Sequence, residues 1–504
     1  MKKHLLIIPA LLAFALAGCR ESSARQETPV RNTVPIQIVD TEPRETLSGS
    51  YLAGRHAQQL HDWDNASHFF AHVVNRDSDN TELKKRTMVL AMGAGETKRA
   101  FELAHEINAA SEKTYALVEL FLALENFGRK NYEEANKHLD NMPEGGMADF
   151  IGPLLKGWSY AAEGKLHIEN LPDNPVHAYH AVLIAHYLGR HEAIAGVMES
   201  ALKTSGINVS DLEKIGDIYA HVGKTEEAED VYATILKHEP ENVNVSKKLA
   251  SLREDEDVDV IETGEEFNIR SVKGGVARAF LDMARILYGE YSDDSARVFS
   301  QMALHLDSSL NEARILMAVI STRNQRFDEA IAQYEEIGDK DKAYVEAKKR
   351  TAELMARAER YDEAVALLEQ LVEMPGGGSD IDALAQIGDI RRRQESYDTA
   401  IKAYNRVLDA IAAEEESDYW HVYYARGMSY ESLDHWAKAE SDLEKALAFQ
   451  PDHPYIMNYL GYGWAEKGIR LPEALDLIEK AVSLQPKDGY IRDSLGWVLY
   501  QKGR

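Results

Sequence analysis

The chain has 504 residues, of which 84 are acidic and 57 basic, and carries a net charge of −27. A field of that sign repels nucleic-acid phosphates and anionic lipid surfaces, so those partners are excluded as the main business of the protein. A single cysteine rules out a disulfide framework, and the length exceeds what one compact core can hold, leaving several domains or an array of repeats.

In chain order, Lys2 and Lys3 precede an apolar run from Leu5 to Leu16 that is too short to span a bilayer, and the run ends in Leu16-Ala17-Gly18-Cys19. This pattern resembles a bacterial lipobox. The resemblance implies that residues 1–18 are a lipoprotein signal peptide and that Cys19, the one cysteine, is the lipidation site. Arg20 in place of Asp after that cysteine implies, as in lipoproteins generally, sorting to the periplasmic face of the outer membrane. Residues 19–47 are rich in Ser, Thr, Arg, Glu and Pro without apolar periodicity, and are expected to be a flexible, disordered tether. Such a coil would span roughly 30 Å.

A ladder begins at residue 48. Gly54 and Ala66, Met88 and Ala100, Ala123 and Ala135, Ala181 and Ala193, and Gly216 and Ala228 are each twelve apart. So are Ala284 and Ala296, Ala318 and Ala330, Ala352 and Ala364, Gly388 and Ala400, and Gly427 and Ala439. Gly461 and Ala474 repeat the pairing with one extra residue in the turn. A large apolar residue follows four after the second small one, as at Phe70, Tyr232, Tyr404, Leu443 and Ile478, and Pro451 and Pro486 close their units. Small residues at this spacing let two antiparallel helices approach closely where they cross, and a period near 34 is the tetratricopeptide signature. The fold class is therefore all-α, a superhelical solenoid of antiparallel helix pairs. The dipeptides Gly128-Arg129, Gly189-Arg190 and Gly223-Lys224 are expected to stop first helices at the glycine.

Two places break the ladder. Residues 135–193 hold a unit whose second helix is shortened and interrupted by Pro172 and Pro175. Residues 254–273 open with Glu254-Asp255-Glu256-Asp257 and continue in a strand-like run to Phe267, so they read as an acidic linker or degenerate repeat. The array is expected to divide there, into an N-terminal part over 48–253 and a C-terminal part over 274–504. The last helix, from Leu495, has no partner, which is expected of a chain that continues with further repeats.

Catalytic chemistry has no foothold in the sequence. Asp255, Asp257 and Asp259 lack the glycine and closing glutamate of a calcium loop. His177, His180, His186 and His191 lack zinc-hydrolase spacing. Gly93-Ala94-Gly95-Glu96-Thr97-Lys98 follows a helix, not a strand, and is an inter-helix turn rather than a phosphate loop. No catalytic residue, metal site or cofactor is expected, and the chain is not expected to be an enzyme.

The candidate site is the face of the first helices that flanks the small position. In the last three units this face presents His421, Tyr424, Met428 and Glu431, then Tyr455, Asn458, Tyr462 and Ala465, then Tyr490, Asp493, Trp497 and Tyr500. Six of these twelve are Tyr or Trp in a chain that is 8% aromatic, which suits a partner-binding groove. The preceding unit offers Asp382, Ala385, Asp389 and Arg392 instead, so the aromatic lining is local.

The runs Tyr51-Leu52-Ala53-Gly54-Arg55, Tyr424-Ala425-Arg426-Gly427, Asn458-Tyr459-Leu460-Gly461-Tyr462 and Asp488-Gly489-Tyr490-Ile491-Arg492-Asp493-Ser494-Leu495-Gly496-Trp497 sharpen the match. They resemble a family of proteobacterial tetratricopeptide lipoproteins, which includes the outer-membrane adaptor of a periplasmic carboxyl-terminal processing protease. The resemblance implies a lipid-anchored scaffold or adaptor that binds protein partners in the periplasm, a protease or envelope-assembly machinery among them. The other reading of an aromatic groove is a module that stacks the sugar rings of peptidoglycan or an exported polysaccharide.

Overall fold

The computed structural model describes residues 46–503 apart from 169–170, 173, 191, 195, 197–208, 222, 254–268 and 375–379. Cys19, the signal peptide, all but the last two residues of the tether, and most of the acidic stretch with its three aspartates therefore lie outside the described residues. Contacts divide the chain into one unit ending at Arg326 and a second running from Phe327.

In unit 1, α1 (Leu47–Gln59) pairs with α2 (Trp63–Arg76), α3 (Thr81–Gly93) with α4 (Thr97–Ala110), and α5 (Ala116–Gly128) with α6 (Tyr132–Asp140). There follow α7 (Met147–Ala161), α8 (Pro175–Tyr187), α9 (Val209–His221) paired with α10 (Thr225–His238), and α11 (Val243–Arg253). Then come α12 (Val272–Gly289) paired with α13 (Asp293–Leu306), and α14 (Asn311–Arg323). Unit 2 holds α15 (Phe327–Glu335), α16 (Tyr344–Arg357) with α17 (Tyr361–Glu373), and α18 (Ile381–Arg393) with α19 (Tyr397–Ala410). It ends with α20 (Trp420–Ser432) and α21 (Trp436–Phe449), α22 (Pro454–Glu466) and α23 (Leu471–Leu484), and α24 (Gly489–Gln501). Every regular element among the described residues is helical, and none is long and apolar enough to cross a membrane. This is the tetratricopeptide solenoid expected from the spacing.

The small residues sit at the crossings. A Cβ added to Gly388 would lie 2.4 Å from the Tyr404 ring, and one on Gly216 would lie 2.5 Å from Tyr232. Gly54 faces Phe70 in the same way, Gly427 faces Leu443 and Gly461 faces Ile478. In each case the partner is the large residue that follows the second small position by four. The alanines at those second positions, Ala66, Ala228, Ala400, Ala439 and Ala474, are fully buried. A side chain of any size would push the helix axes beyond the 8–10 Å that this packing needs.

The turns inside the pairs share one geometry: a residue in the left-handed region, followed by an amide that bonds back to the carbonyl five residues earlier. Glu96 N–H to Ala91 O, Arg360 N–H to Met355 O and Ser396 N–H to Arg391 O are each 2.8 Å. Gly95, Gly189 and Gly223 occupy the left-handed position as the sequence implied, which also settles Gly95 as a turn residue. Gly128 does not: it is the last residue of α5, and Lys130 takes the positive φ instead. Gly128 is small for another reason, because His305 of α13 lies over it.

The shortened second helix expected in the interrupted unit is not found among the described residues between α7 and α8. Pro175 takes the first turn of α8, where a missing amide costs nothing. Beside Gly157 of α7 the nearest contact is Ile184 of α8. In unit 1 the helices on both sides of the acidic stretch share one core that runs from Ala57 to Ile320. Within it α13 packs on α3 and α5, and α12 packs on α7 and α8. Polar bonds fasten these contacts: Arg297 Nε donates to Gly93 O at 2.8 Å, His61 bonds Asp294 at 3.0 Å, and Arg326 pairs with Asp62 at 3.3 Å.

Candidate docking face

The residues expected on the first helices α20, α22 and α24 divide by exposure, and Ala465 among them is fully buried. Tyr455 and Tyr462 on α22, and Tyr490, Trp497 and Tyr500 on α24, are exposed, Tyr490 to 86% and Tyr500 to 70%. Tyr291 is the one other aromatic residue of comparable exposure among the described residues. Trp497 and Tyr500 stack with ring centroids 5.7 Å apart at 25°, and the Tyr455 hydroxyl reaches Asp488 at 3.3 Å. His421 and Asp493 are exposed, and Met428 is half-buried.

Tyr424 plays a different part. It is half-buried and packs edge-on against Tyr459 of the next first helix, with centroids 5.9 Å apart. Burial pushes its hydroxyl ionisation up, with Arg392 pulling the other way. Tyr459 donates to Glu431 at 3.2 Å, and burial together with that carboxylate holds it firmly protonated. Sequence reasoning chose Asn458 and passed over Tyr459 beside it, because the assumed inner face stopped one residue short. His453 was missed as well. Its ring lies tilted at 50° against Trp420 with centroids 4.8 Å apart, and it accepts the α22 amide of Ile456 at 3.3 Å.

Asn458 is one of several residues with a buried, unbonded side-chain oxygen, with Asn136, Gln333 and Gln386. A buried acceptor left in this state costs about 1–3 kcal/mol, so the fold keeps it at the expense of stability.

His177 and His180 of α8 are taken up in hydrogen bonds within the fold, and His191 lies outside the described residues. His177 is buried, holds Asn174 at 2.8 Å and Phe150 O at 2.7 Å, and burial lowers its pKa to about 4. The Trp158 indole N–H donates to His180 Nδ1 at 2.9 Å, which leaves His180 Nε2 to donate to Asp282 of α12 at 3.1 Å. Burial would raise the Asp282 carboxyl, but His180, Arg285 and Arg278 outweigh it and hold the group well below the usual carboxylate range. No cluster of three potential metal ligands occurs among the described residues.

Comparison with protein-family models agrees with this architecture. Tetratricopeptide-repeat family models match residues 321–387, 381–413 and 420–453. No curated protein matches the sequence. Among solved structures, yeast Tom70 aligns over 91% of this chain and 95% of its own, with 14% identity and a TM-score of 0.35. The Cut9–Hcn1 hetero-tetramer of the APC/C aligns over 90% of this chain and 97% of its own, with 14% identity and a TM-score of 0.35. YrrB, described as a TPR protein with an unusual peptide-binding site, aligns over 39% of this chain and 92% of its own, with 22% identity and a TM-score of 0.28. The repeat models within residues 321–453 and the repeated crossing of helix pairs among the described residues together show the tetratricopeptide solenoid fold.

Proposed function

We propose that this protein is a non-catalytic, lipid-anchored scaffold whose docking surface for other proteins is the aromatic face of α20, α22 and α24. The observation that carries the reading is the concentration of exposed rings: Tyr455, Tyr462, Tyr490, Trp497 and Tyr500 share one face of consecutive first helices. Rings of this kind give large contact area with a polar tip and little rotamer entropy to lose on docking. The lipobox-like segment ending at Cys19 supports anchoring at the periplasmic face of the outer membrane, where a protease and its substrates are the partners that the resemblance implies.

Affinity capture from envelope extracts tests this, comparing the native chain with Tyr462→Ala/Trp497→Ala. The expected result is a stoichiometric protein partner recovered with the native chain and lost with the double variant. If the native chain is retained on cell-wall sacculi and captures no protein, the face reads glycan rings instead. Equal recovery by both chains removes the face from consideration. Palmitate labelling that persists in Cys19→Ser would refute the anchor.

A further inference from the structure

Unit 1 holds a cavity of about 1120 Å³ where the N-terminal ends of α3 and α5 meet the loop before α7. Its charge runs against that of the chain. Lys85, Arg86 and Lys113 line it, with Glu82 and Glu144 as the acidic members, and Glu82 is already paired to Lys85 at 2.6 Å. Arg86, half-buried, makes no ion pair among the described residues, and its guanidinium lies over the Phe70 ring at 5.5 Å. Lys113 likewise has no carboxylate partner there. Lys85 and Lys113 instead flank the ring of Tyr115, at 4.2 and 5.5 Å.

A second feature has the same sign. The N-terminus of α3 is capped by Asn80, and before α7 the Gly145 amide already donates to Asp149 at 3.0 Å, but the N-cap of α5, Tyr115, makes no side-chain cap. The residues that open α5 and α7, Thr114 to Val118 and Gly145 to Met147, line the cavity. Uncapped first-turn amides and the positive end of the helix dipole favour an anionic group. The remaining wall is apolar, formed by Leu83, Met88, Val89 and Leu117.

We propose that this cavity is a second binding site, separate from the aromatic face, and that it takes an acidic peptide segment in which a carboxylate stands next to aliphatic side chains. The carboxylate reaches Arg86, Lys113 and the open end of α5, and the aliphatic part lies on Leu83, Val89 and Leu117. A lone inorganic anion would leave most of a cavity this size unfilled, since volumes of about 300–1,000 Å³ already hold drug-sized ligands. A membrane surface would meet the surrounding negative field of the chain.

The experiment is selection from a displayed random decapeptide library against the full chain, against Arg86→Glu/Lys113→Glu, and against Arg86→Gln/Lys113→Gln. Helical content and thermal midpoint are checked for each. The native chain is expected to enrich peptides with Asp or Glu within four residues of Leu, Ile or Val. Synthetic copies should bind at least tenfold more weakly to the neutral double variant, and charge reversal should select Lys or Arg in their place. Tyr462→Ala/Trp497→Ala should leave this binding unchanged, which separates the two sites. The proposal is overturned if the native chain shows no acidic enrichment, if the charge variants bind the same peptides equally well, or if binding follows Tyr462 and Trp497. Should both charge variants fail to fold, Tyr115→Ala with Val89→Ser replaces them, and unchanged affinity there counts equally against the site.

Discussion

At the scale of single residues, the fold rests on positions where size matters more than polarity. Gly388 lies so close to Tyr404 that even one methyl group would collide with the ring. The Tyr404 ring cannot retreat freely, because its hydroxyl donates to Asp389 at 2.7 Å. Gly388→Ala is therefore expected to destabilise unit 2 by about 1–3 kcal/mol despite its better helix propensity, read as a lowered urea midpoint. A gain in stability would mean that the crossing is looser than described. His177 sets a pH dependence of definite sign. Its folded pKa of about 4 lies below the ordinary 6.5, because burial disfavours the charged ring. The unfolded chain then binds the extra proton between those values, so stability is full above about pH 6.5 and falls as the pH drops towards 4. The loss should be about 2 kcal/mol by pH 5, and the slope should flatten in His177→Gln. His61, whose pKa the Asp294 hydrogen bond raises, works in the opposite direction, favouring the fold at lower pH and fading as pH rises through its folded pKa. Parallel measurement on His61→Gln separates the two.

At the scale of helices, the twelve-residue pairing was legible because it reports one contact, the crossing within a pair. Gly54, Gly216, Gly388, Gly427 and Gly461 each meet the large residue that the spacing assigned to them. What could not be read is anything set by packing between pairs. Tyr459 packs on Tyr424 and donates to Glu431 of the neighbouring first helix, a contact that no period in the sequence encodes. The same holds for Gly93, Gly275 and Gly463. They lie under Trp63, Trp158 and Trp436, tryptophans contributed by other helices rather than by the crossing partner. The exposed rings of α22 and α24 were legible by counting along the helix, since nothing among the described residues packs over them. Asn458 belongs to that face and carries its cost. Asn458→Leu is expected to raise the stability of unit 2 by about 1 kcal/mol by removing an unsatisfied acceptor. The check is the urea midpoint of unit 2, and an unchanged or lowered midpoint would show that the oxygen is already satisfied in the fold.

At the scale of the molecule, the two units hold together by different rules. The described apolar core of unit 2 falls into small clusters, such as that of Leu443, Leu460 and Trp464 and that of Tyr423, Ala446 and Ile456, each spanning neighbouring pairs only. That is the nearest-neighbour regime of a linear repeat array. In unit 1 a single cluster joins Ala57 to Ile320, because α12 and α13 return to pack on α3, α5, α7 and α8. Nothing in a thirty-four-residue period announces such a return. The period continues undisturbed through Ala284 and Ala296, although those helices also touch repeats far earlier in the chain.

The return of α12 and α13 has a consequence for a severed backbone. Helices on either side of residues 254–268 are bound into the same core, α11 through Leu249 and Leu252 and α12 through Val276 and Phe280. A site-specific protease target inserted within 254–268 should accordingly yield two pieces that migrate together in gel filtration and part only in denaturant. The covalent link there is dispensable for cohesion, so an endopeptidase could nick the protein without dismantling it. Pieces that elute separately under native conditions would show that the buried seam is too weak to act as a rivet.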